Sequence, residues 1–387
     1  MKITIDQAAL AAAVTTAARF ANQRSPLPIL HTIRIAADDV AQELTLHATN
    51  LDTGVTVTTT AAHVEEPGAI CVEGRLLEQI AKNLPSGEAR LETLGEGRCV
   101  LTCGASKFEL GTLPAEEYPS QPTADEVTSV TLSQPVLKGL LAQATVAAAN
   151  AADESRAIMT GVCVSLNLDR LTMVSTDSQR LAVVTEVVEV RGVGEELQAV
   201  IPADALRELA KVLSAKTGTV QIATTARSAK FSLPGYEFHC RLLEGRFPDH
   251  TKVWPKDFER SAKLEASDLA AAVKRLLPVA QEKESPNLLR LQFTEHEVIV
   301  TANTPDLGSG EERVPCVLTG EGLCIGFNGK YLAEALSVLD PTAEIEIDLQ
   351  TELKSAILRI AGDHGFEYVL MPVKLRDVAE DYERTAA

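Results

Sequence analysis

The sequence predicts an α+β fold in which one domain-sized module is written three times, each module an antiparallel sheet with two helices on one of its faces. Three recurrences carry that expectation. Each module opens with an Ala/Leu-rich amphipathic stretch, at residues 10–14, 137–141 and 269–273. Later in each, a strand runs straight into a second helix, at residues 72–84, 201–213 and 327–339, and Leu77, Leu206 and Leu332 hold equivalent places at spacings of 129 and 126. Each module closes on an aromatic or apolar residue before proline: Tyr118-Pro119, Phe247-Pro248 and Met371-Pro372.

Taken in chain order, Ile3 and Ile5 alternate as a first strand, and Leu10, Val14 and Ala17 then line one helical face. Residues 43–48 and 55–58 alternate with period two and are rich in β-branched side chains, as strands are. Polar turns recur at Ala48-Thr49-Asn50, Ser175-Thr176-Asp177 and Thr301-Ala302-Asn303, 127 and 126 residues apart. Helices are expected over residues 7–20, 74–84, 134–149, 203–213, 267–280 and 329–339. A unit of that size buries its own core, which a solenoid repeat of about 20–50 residues does not. The expected domains are 1–127, 128–254 and 255–375, with linkers around 122–127 and 255–263 and a charged extension over 376–387.

Composition narrows the class. Hydrophobic residues make up 45% of the 387 but aromatics only 4%, so the cores are aliphatic. No apolar run is long enough to span a bilayer, and Met1-Lys2-Ile3 leads into a strand rather than an export signal, which makes the cytoplasm the expected compartment. Seven cysteines, an odd number without a tight CxxC or histidine partner, read as buried free thiols. The seven histidines are scattered, with no HExxH, so no metal is expected. Gly308-Ser309-Gly310 reads as a turn, because the following Glu311-Glu312 would repel a phosphate, and Gly329-Lys330 lacks a P-loop frame. Asp177 beside Ser178 has no supporting histidine and reads as a turn cap. The expectation is a protein without catalysis or cofactor; the alternative is an enzyme or receptor with a ligand groove between modules, which needs a convergent polar cluster that the sequence does not display.

Three like modules placed end to end form an arc with an unused sheet edge at each end, and two arcs joined head to tail close a two-fold ring. Charge is distributed to match. The helical windows carry +4 while the chain carries −18, so a mildly basic helical layer sits on an acidic body. If the helices line the hole, phosphates of duplex DNA meet Arg19, Arg75, Lys82, Lys138, Arg207, Lys211, Lys274, Arg275 and Lys330. Contacts of that kind give no sequence preference and a strong salt dependence.

At this point the residues resemble a known family. PLPILHTIRI (26–35), TDSQRLAV (176–183), RLLEGRFPDHTKVWP (241–255), VTANTPD (300–306) and YVLMPVKL (368–375) are similar, in this order and spacing, to the bacterial DNA polymerase III beta subunit, or β sliding clamp, over residues 1–375. The resemblance implies three repeated DNA-clamp domains and a head-to-tail homodimeric ring. It implies further that a clamp loader places such a ring on DNA, where it tethers the replicative polymerase and other replication and repair proteins. It implies a pocket for a short, mostly apolar partner peptide at Met159, Thr176, Ser178, Gln179, Arg180, Leu181, Pro248, Lys252, Val253, Val369, Leu370, Met371, Pro372 and Val373. Methionine and leucine there suit varied apolar side chains, and Arg180 and Lys252 are expected to orient a polar or carboxylate end. The resemblance further implies DNA contacts at Arg24 and Arg156, and a dimer seam joining Phe108 and Leu110 to the region of Pro278 and Val279. This chain departs from many members in carrying Ser178-Gln179 where they show glycine and histidine, in following Arg156 with Ala157-Ile158 rather than an aromatic pair, and in the extension 376–387.

Overall fold

The structure, a computed structural model, describes residues 1–21, 25–95, 97–120, 128–167, 169–188, 190–191, 197–281 and 287–375. Among these residues one order of elements runs three times: strand, helix, five strands, helix, three strands. The helices are α1 (Gln7–Ala18), α2 (Gly74–Asn83), α3 (Gln134–Ala144), α4 (Ala203–Val212), α5 (Ala266–Ala280) and α6 (Gly329–Ser337). Several start on a side-chain cap at the last residue of the preceding strand. Asp6 accepts from the Ala8 and Ala9 amides (2.9 and 3.2 Å), Glu73 from Arg75 and Leu76, and Asn328 from Lys330 and Tyr331 (3.0 and 3.4 Å). Leu77, Leu206 and Leu332 are all buried, as their shared place in the pattern requires.

Two elements differ from the sequence expectation. α3 stops at Ala144 instead of 149, because the Ala149 amide donates to the Met159 carbonyl (2.9 Å) and draws the chain out of the helix. The third polar turn lies at residues 305–307: Asn303 and Thr304 belong to strand Glu297–Thr304, and Gly308-Ser309-Gly310, expected as a turn, begin strand Gly308–Pro315. Thr304, not Asn303, therefore closes the hairpin in the way that Thr49 and Thr176 do in the other two modules.

The described residues pack as two compact units, drawn from Met1–Leu137, Glu189–Glu195 and Glu208–Leu242 in one and from Lys138–Val188, Glu196–Arg207 and Leu243–Ala387 in the other. The middle module contributes to both, because its strands are shared out. In the first unit, strand Tyr236–Arg241 pairs with Thr53–Thr59, giving one 14-stranded sheet. In the second unit, strand Phe366–Leu370 pairs with Arg180–Val187, giving a nine-stranded sheet beside a four-stranded one. Strand Gly308–Pro315 ends the four-stranded sheet and, among the described residues, pairs on one side only.

Alternating aliphatic side chains of these strands and the inner helix faces form the cores. The closing aromatic Tyr118 is buried, and its hydroxyl accepts from the Thr49 amide (3.1 Å) and donates to the Thr32 carbonyl (3.3 Å). All seven cysteines are free thiols, six of them buried. No helix among the described residues is long and apolar enough to cross a membrane, and no group of three or more His, Cys, Asp or Glu among them is placed to hold a metal.

Candidate functional site

In the second unit, strands Gly161–Asn167, Arg170–Thr176, Arg180–Val187 and Phe366–Leu370 lie side by side. Their alternation sends Cys163, Val174, Leu181 and Val369 to one face, where they cluster with Val200, Phe247 and Ile357. Ile158, Leu243 and Trp254, the single tryptophan of the chain, pack half-buried against that cluster. At its rim two large apolar side chains face solvent: Met371 is 46% exposed and Val253 66%. Pro248 is exposed, and Met159, Pro372 and Val373 are half-buried.

A tight turn forms one side of the rim. The Asp177 carboxylate accepts from the amides of Gln179 and Arg180 (2.9 and 3.1 Å). Thr176 Oγ1 donates to the Arg180 carbonyl (2.7 Å) and accepts from the Ser178 amide (3.1 Å). Ser178 is thereby held at φ 75°, a left-handed conformation that disfavours a residue with a Cβ by about 1–2 kcal/mol. Its Oγ lies 3.4 Å from Met159 Sδ, and the Met371 amide donates to the Gln179 carbonyl (3.0 Å), so the last strand and the turn are tied together.

Arg180 is placed differently from the expectation that it orients a peptide's polar end. Its side chain is only 8% exposed, and its Nε and Nη1 are answered from within. Nε reaches Asp177 (3.0 Å), Nη1 reaches the Glu334 carboxylate and the Tyr368 hydroxyl (3.3 Å), and the guanidinium lies 4.1 Å over the Tyr331 ring. Burial pulls its pKa down, but Tyr368 and Glu334 outweigh that, and the group stays charged. The exposed cation of the rim is Lys252, paired loosely with Asp249 at 3.7 Å in the short helix His250–Lys252. Sequence reasoning missed Glu334, Tyr331 and Tyr368. No local pattern announces them, since Glu334 meets Arg180 across 154 residues.

A polar cleft of about 710 Å³ opens behind the turn, lined among others by Arg156, Asp177, Gln179, Arg180, Arg207, Lys330 and Glu334. Arg156 Nε bonds Asp153 (2.9 Å) and its Nη1 donates to the Asp177 carbonyl (2.8 Å), bracing the turn from that side.

The other candidate cations are mostly held by acidic neighbours. Arg19 lies 3.7 Å from Glu208, Lys82 2.6 Å from Glu78, Arg207 2.6 Å from Asp204, Lys211 2.5 Å from Glu208 and Lys330 4.0 Å from Glu334. Arg275 grips Glu312 with two nitrogens (2.8 and 2.7 Å). Arg75 and Lys274 point to solvent, and Lys138 is half-buried on α3. Exposed pairs of this kind contribute about 0–1 kcal/mol each, little enough for a phosphate to replace the carboxylate. Arg24 and the extension 376–387 lie outside the described residues.

Of the four seam residues, Phe108 is 37% exposed and Leu110 buried in strand Ser106–Leu113. Pro278 and Val279 end α5, where the Val279 carbonyl accepts from Thr304 Oγ1 (2.6 Å) beside the start of strand Gly308–Pro315.

Comparison with known proteins agrees with this geometry. Three family models match consecutively: the N-terminal domain of the DNA polymerase III beta subunit over residues 1–122, the central domain over 131–249 and the C-terminal domain over 251–374. A beta sliding clamp of Streptomyces coelicolor is 32% identical, covering 97% of this chain and 100% of its own length. The beta sliding clamp of Staphylococcus aureus is 29% identical over 91% of this chain and 93% of its own. The crystal structure of the DNA polymerase sliding clamp from Bacillus subtilis superposes with a TM-score of 0.89 at 26% identity, covering 97% of this chain and all of that one. The chain therefore belongs to the DNA polymerase III beta subunit family, the non-catalytic sliding clamps that encircle duplex DNA without reading its sequence and keep polymerases on it.

Proposed function

We propose that two copies of this chain, in the cytoplasm, close head to tail by adding strand Ser106–Leu113 of one to strand Gly308–Pro315 of the other. The observation that carries this reading is an aromatic residue at three equivalent positions. Phe238 and Tyr368 sit in strands that pair with Thr53–Thr59 and Arg180–Val187, and both are buried. Phe108 is their counterpart, two residues past a hairpin turn as Phe238 is, and it stands exposed on a strand whose corresponding edge has no partner among the described residues at positions 106–111. Strand Gly308–Pro315 is the counterpart of the two acceptors and is likewise unpaired on that edge among the described residues. Carrying the internal registers over sets Phe108 opposite the partner's Ser309 and Leu110 opposite the partner's Leu307. Pro278 and Val279 flank that strand.

In the closed dimer, the three domains 1–127, 128–254 and 255–375 of each copy turn their helices to the DNA, and the cations on α1 to α6, with Arg24 and Arg156, contact phosphate. The apolar rim at Met371 and Val253 over the Leu181–Val369 floor takes an apolar peptide segment of the replicative polymerase, the clamp loader and other replication and repair proteins in turn. The spans of the three family models support the domain limits.

The test is topological. Loaded by its clamp loader, the protein stays on a closed DNA circle through a salt wash and leaves once the circle is cut. A Phe108→Asp variant sediments as a monomer and is retained on neither. Equal retention on cut and closed DNA, or an unchanged dimer in the variant, overturns the reading.

A further inference from the structure

The short helix Glu154–Thr160 spans two chemistries. Arg156 lies in the polar cleft, whose lining also includes Arg207 of α4 and Lys330 and Glu334 of α6, so it shares an opening with cations of the helical layer. Two and three residues later the same helix reaches the apolar pocket: Ile158 packs against the cluster of the floor, and Met159 Sδ lies 3.4 Å from Ser178 Oγ. The backbone of Arg156 leaves the helical region at φ −129° and ψ 42°, which puts a kink between the two ends.

Arg156 also ties this helix to the rim turn. Its Nε and Nη2 hold the Asp153 carboxylate, and its Nη1 donates to the Asp177 carbonyl (2.8 Å). The side chain is 44% exposed, within reach of a phosphate. Of its two acceptors, Asp153 is charged and lies three residues away on the same segment, where it follows any shift of the helix. Asp177 offers a neutral carbonyl on a different hairpin. A phosphate competes through a charge-assisted bond about twice as strong as one to a neutral acceptor, so the Asp177 contact is the one that yields. Ser178, held at φ 75°, then loses a support that keeps its turn in a costly conformation.

We infer that Arg156 couples the two ligands of this protein: a duplex phosphate that takes its guanidinium withdraws the brace from the rim turn and shifts Ile158 and Met159, so that DNA in the ring lowers the affinity of the pocket for an apolar peptide. The inference rests on the DNA and peptide sites proposed above. Such coupling is reciprocal, and a bound peptide loosens the grip on DNA by the same factor. A client at the pocket thereby rides on a ring that slides more freely.

Trp254 supplies the measurement, because it is the only tryptophan and packs against the pocket floor. The full-length protein is titrated at low salt with one short apolar synthetic peptide, alone and with a saturating linear duplex of about 30 base pairs that threads the ring from an end. The wild type binds the peptide about fivefold more weakly with the duplex present, the effect of one hydrogen bond lost. R156Q, which lacks the charge that a phosphate attracts, binds the peptide equally with and without duplex. A merely structural role for Arg156 would weaken peptide binding alike in both conditions and leave the ratio between them at the wild-type value. Direct overlap of duplex and peptide would likewise keep that ratio in R156Q. The inference is overturned if R156Q retains the wild-type ratio, or if the duplex leaves unchanged or raises the affinity of the wild type. The wild-type titration decides the sign even if R156Q fails to fold. If the wild type binds neither duplex nor peptide, the sites proposed above are themselves lost.

Discussion

In the first unit strand Tyr236–Arg241 pairs with Thr53–Thr59, and in the second strand Phe366–Leu370 pairs with Arg180–Val187, through the same local geometry. Thr49 and Thr176 both donate to the carbonyl that ends the turn (2.9 and 2.7 Å), Asn50 and Asp177 both cap it, and Leu51 and Ser178 both take a left-handed conformation (φ 79° and 75°). The amides of Arg241 and Met371 close the turn in equivalent ways, on the Asp52 and Gln179 carbonyls (2.7 and 3.0 Å). The side chains are what differ. Where the second seam has Leu181 and Val369 as an apolar floor, the first has Gly54 and His239, and a Cβ on Gly54 would come within 2.4 Å of that imidazole. Where the second exposes Met371, the first exposes Arg241, lying 3.6 Å from Asp52. The turn belongs to the fold; the residues at three equivalent positions decide whether its top is a filled, charged surface or an open apolar one.

Acid separates the two seams most strongly. His47 in the first is buried with its ring on Tyr118 (5.2 Å) and 6.2 Å from His239, and burial, His239 and Arg34 lower its pKa to about 4. The folded form binds a proton less readily than the unfolded chain, whose histidine titrates near 6.5. This contribution is complete above pH 6.5 and is lost as pH falls toward 4, amounting to about 3 kcal/mol. His239, lowered by burial, acts in the same direction. Hydrogen exchange in strands Glu43–Thr49 and Thr53–Thr59 should accelerate over that range while Arg180–Val187 and Phe366–Leu370 change less, and His47→Gln should flatten the difference. Parallel acid responses in both seams would show that the imidazoles do not set this stability.

Exchanging the exposed residues sharpens the comparison. Met371→Arg, which writes the first seam's residue into the second, should weaken peptide binding by about tenfold or more. Because Met371 is 46% exposed, stability should move by no more than about 0.5 kcal/mol. Arg241→Met should create no peptide site, because His239 on Gly54 fills the space beneath. Trp254 fluorescence reads the first change, and wild-type affinity in Met371→Arg would remove Met371 from the site.

This asymmetry shows why some features were legible in the sequence and others were not. The repeat was readable because Leu77, Leu206 and Leu332 must each be buried at one place in a helix, and burial leaves a periodic mark. The pocket proposed above was placed by a resemblance carried by consecutive residues such as those around Thr176 and Tyr368. The third turn was expected two residues too early because Asn303 looks like a cap, yet pairing with Ser309 keeps it in the strand, where hydrogen bonding outweighs local preference. The setting of Arg180 was hidden for a different reason. Glu334, Tyr331 and Tyr368 meet it only through tertiary packing, and charge composition cannot separate a guanidinium aimed at a partner from one consumed internally.

The same distinction between free and consumed charge gives the smallest predicted effect, on adjacent residues of α5. Lys274 is exposed and has no ion-pair partner among the described residues, whereas Arg275 must surrender two hydrogen bonds to Glu312 before it can meet a phosphate. Both carry one charge, so counting charge alone predicts equal losses. If release from Glu312 offsets part of what Arg275 gains, Lys274→Ala should lower the slope of log affinity for duplex DNA against log salt by about 0.9, a change of about threefold in affinity between 50 and 200 mM. Arg275→Ala should lower it by less, and Glu312→Gln should bring the contribution of Arg275 up to that of Lys274. Identical slopes for the two alanine variants would mean that the Arg275–Glu312 pair opens at no cost, and that the ion pairs along the helices do nothing to hold the grip on DNA weak.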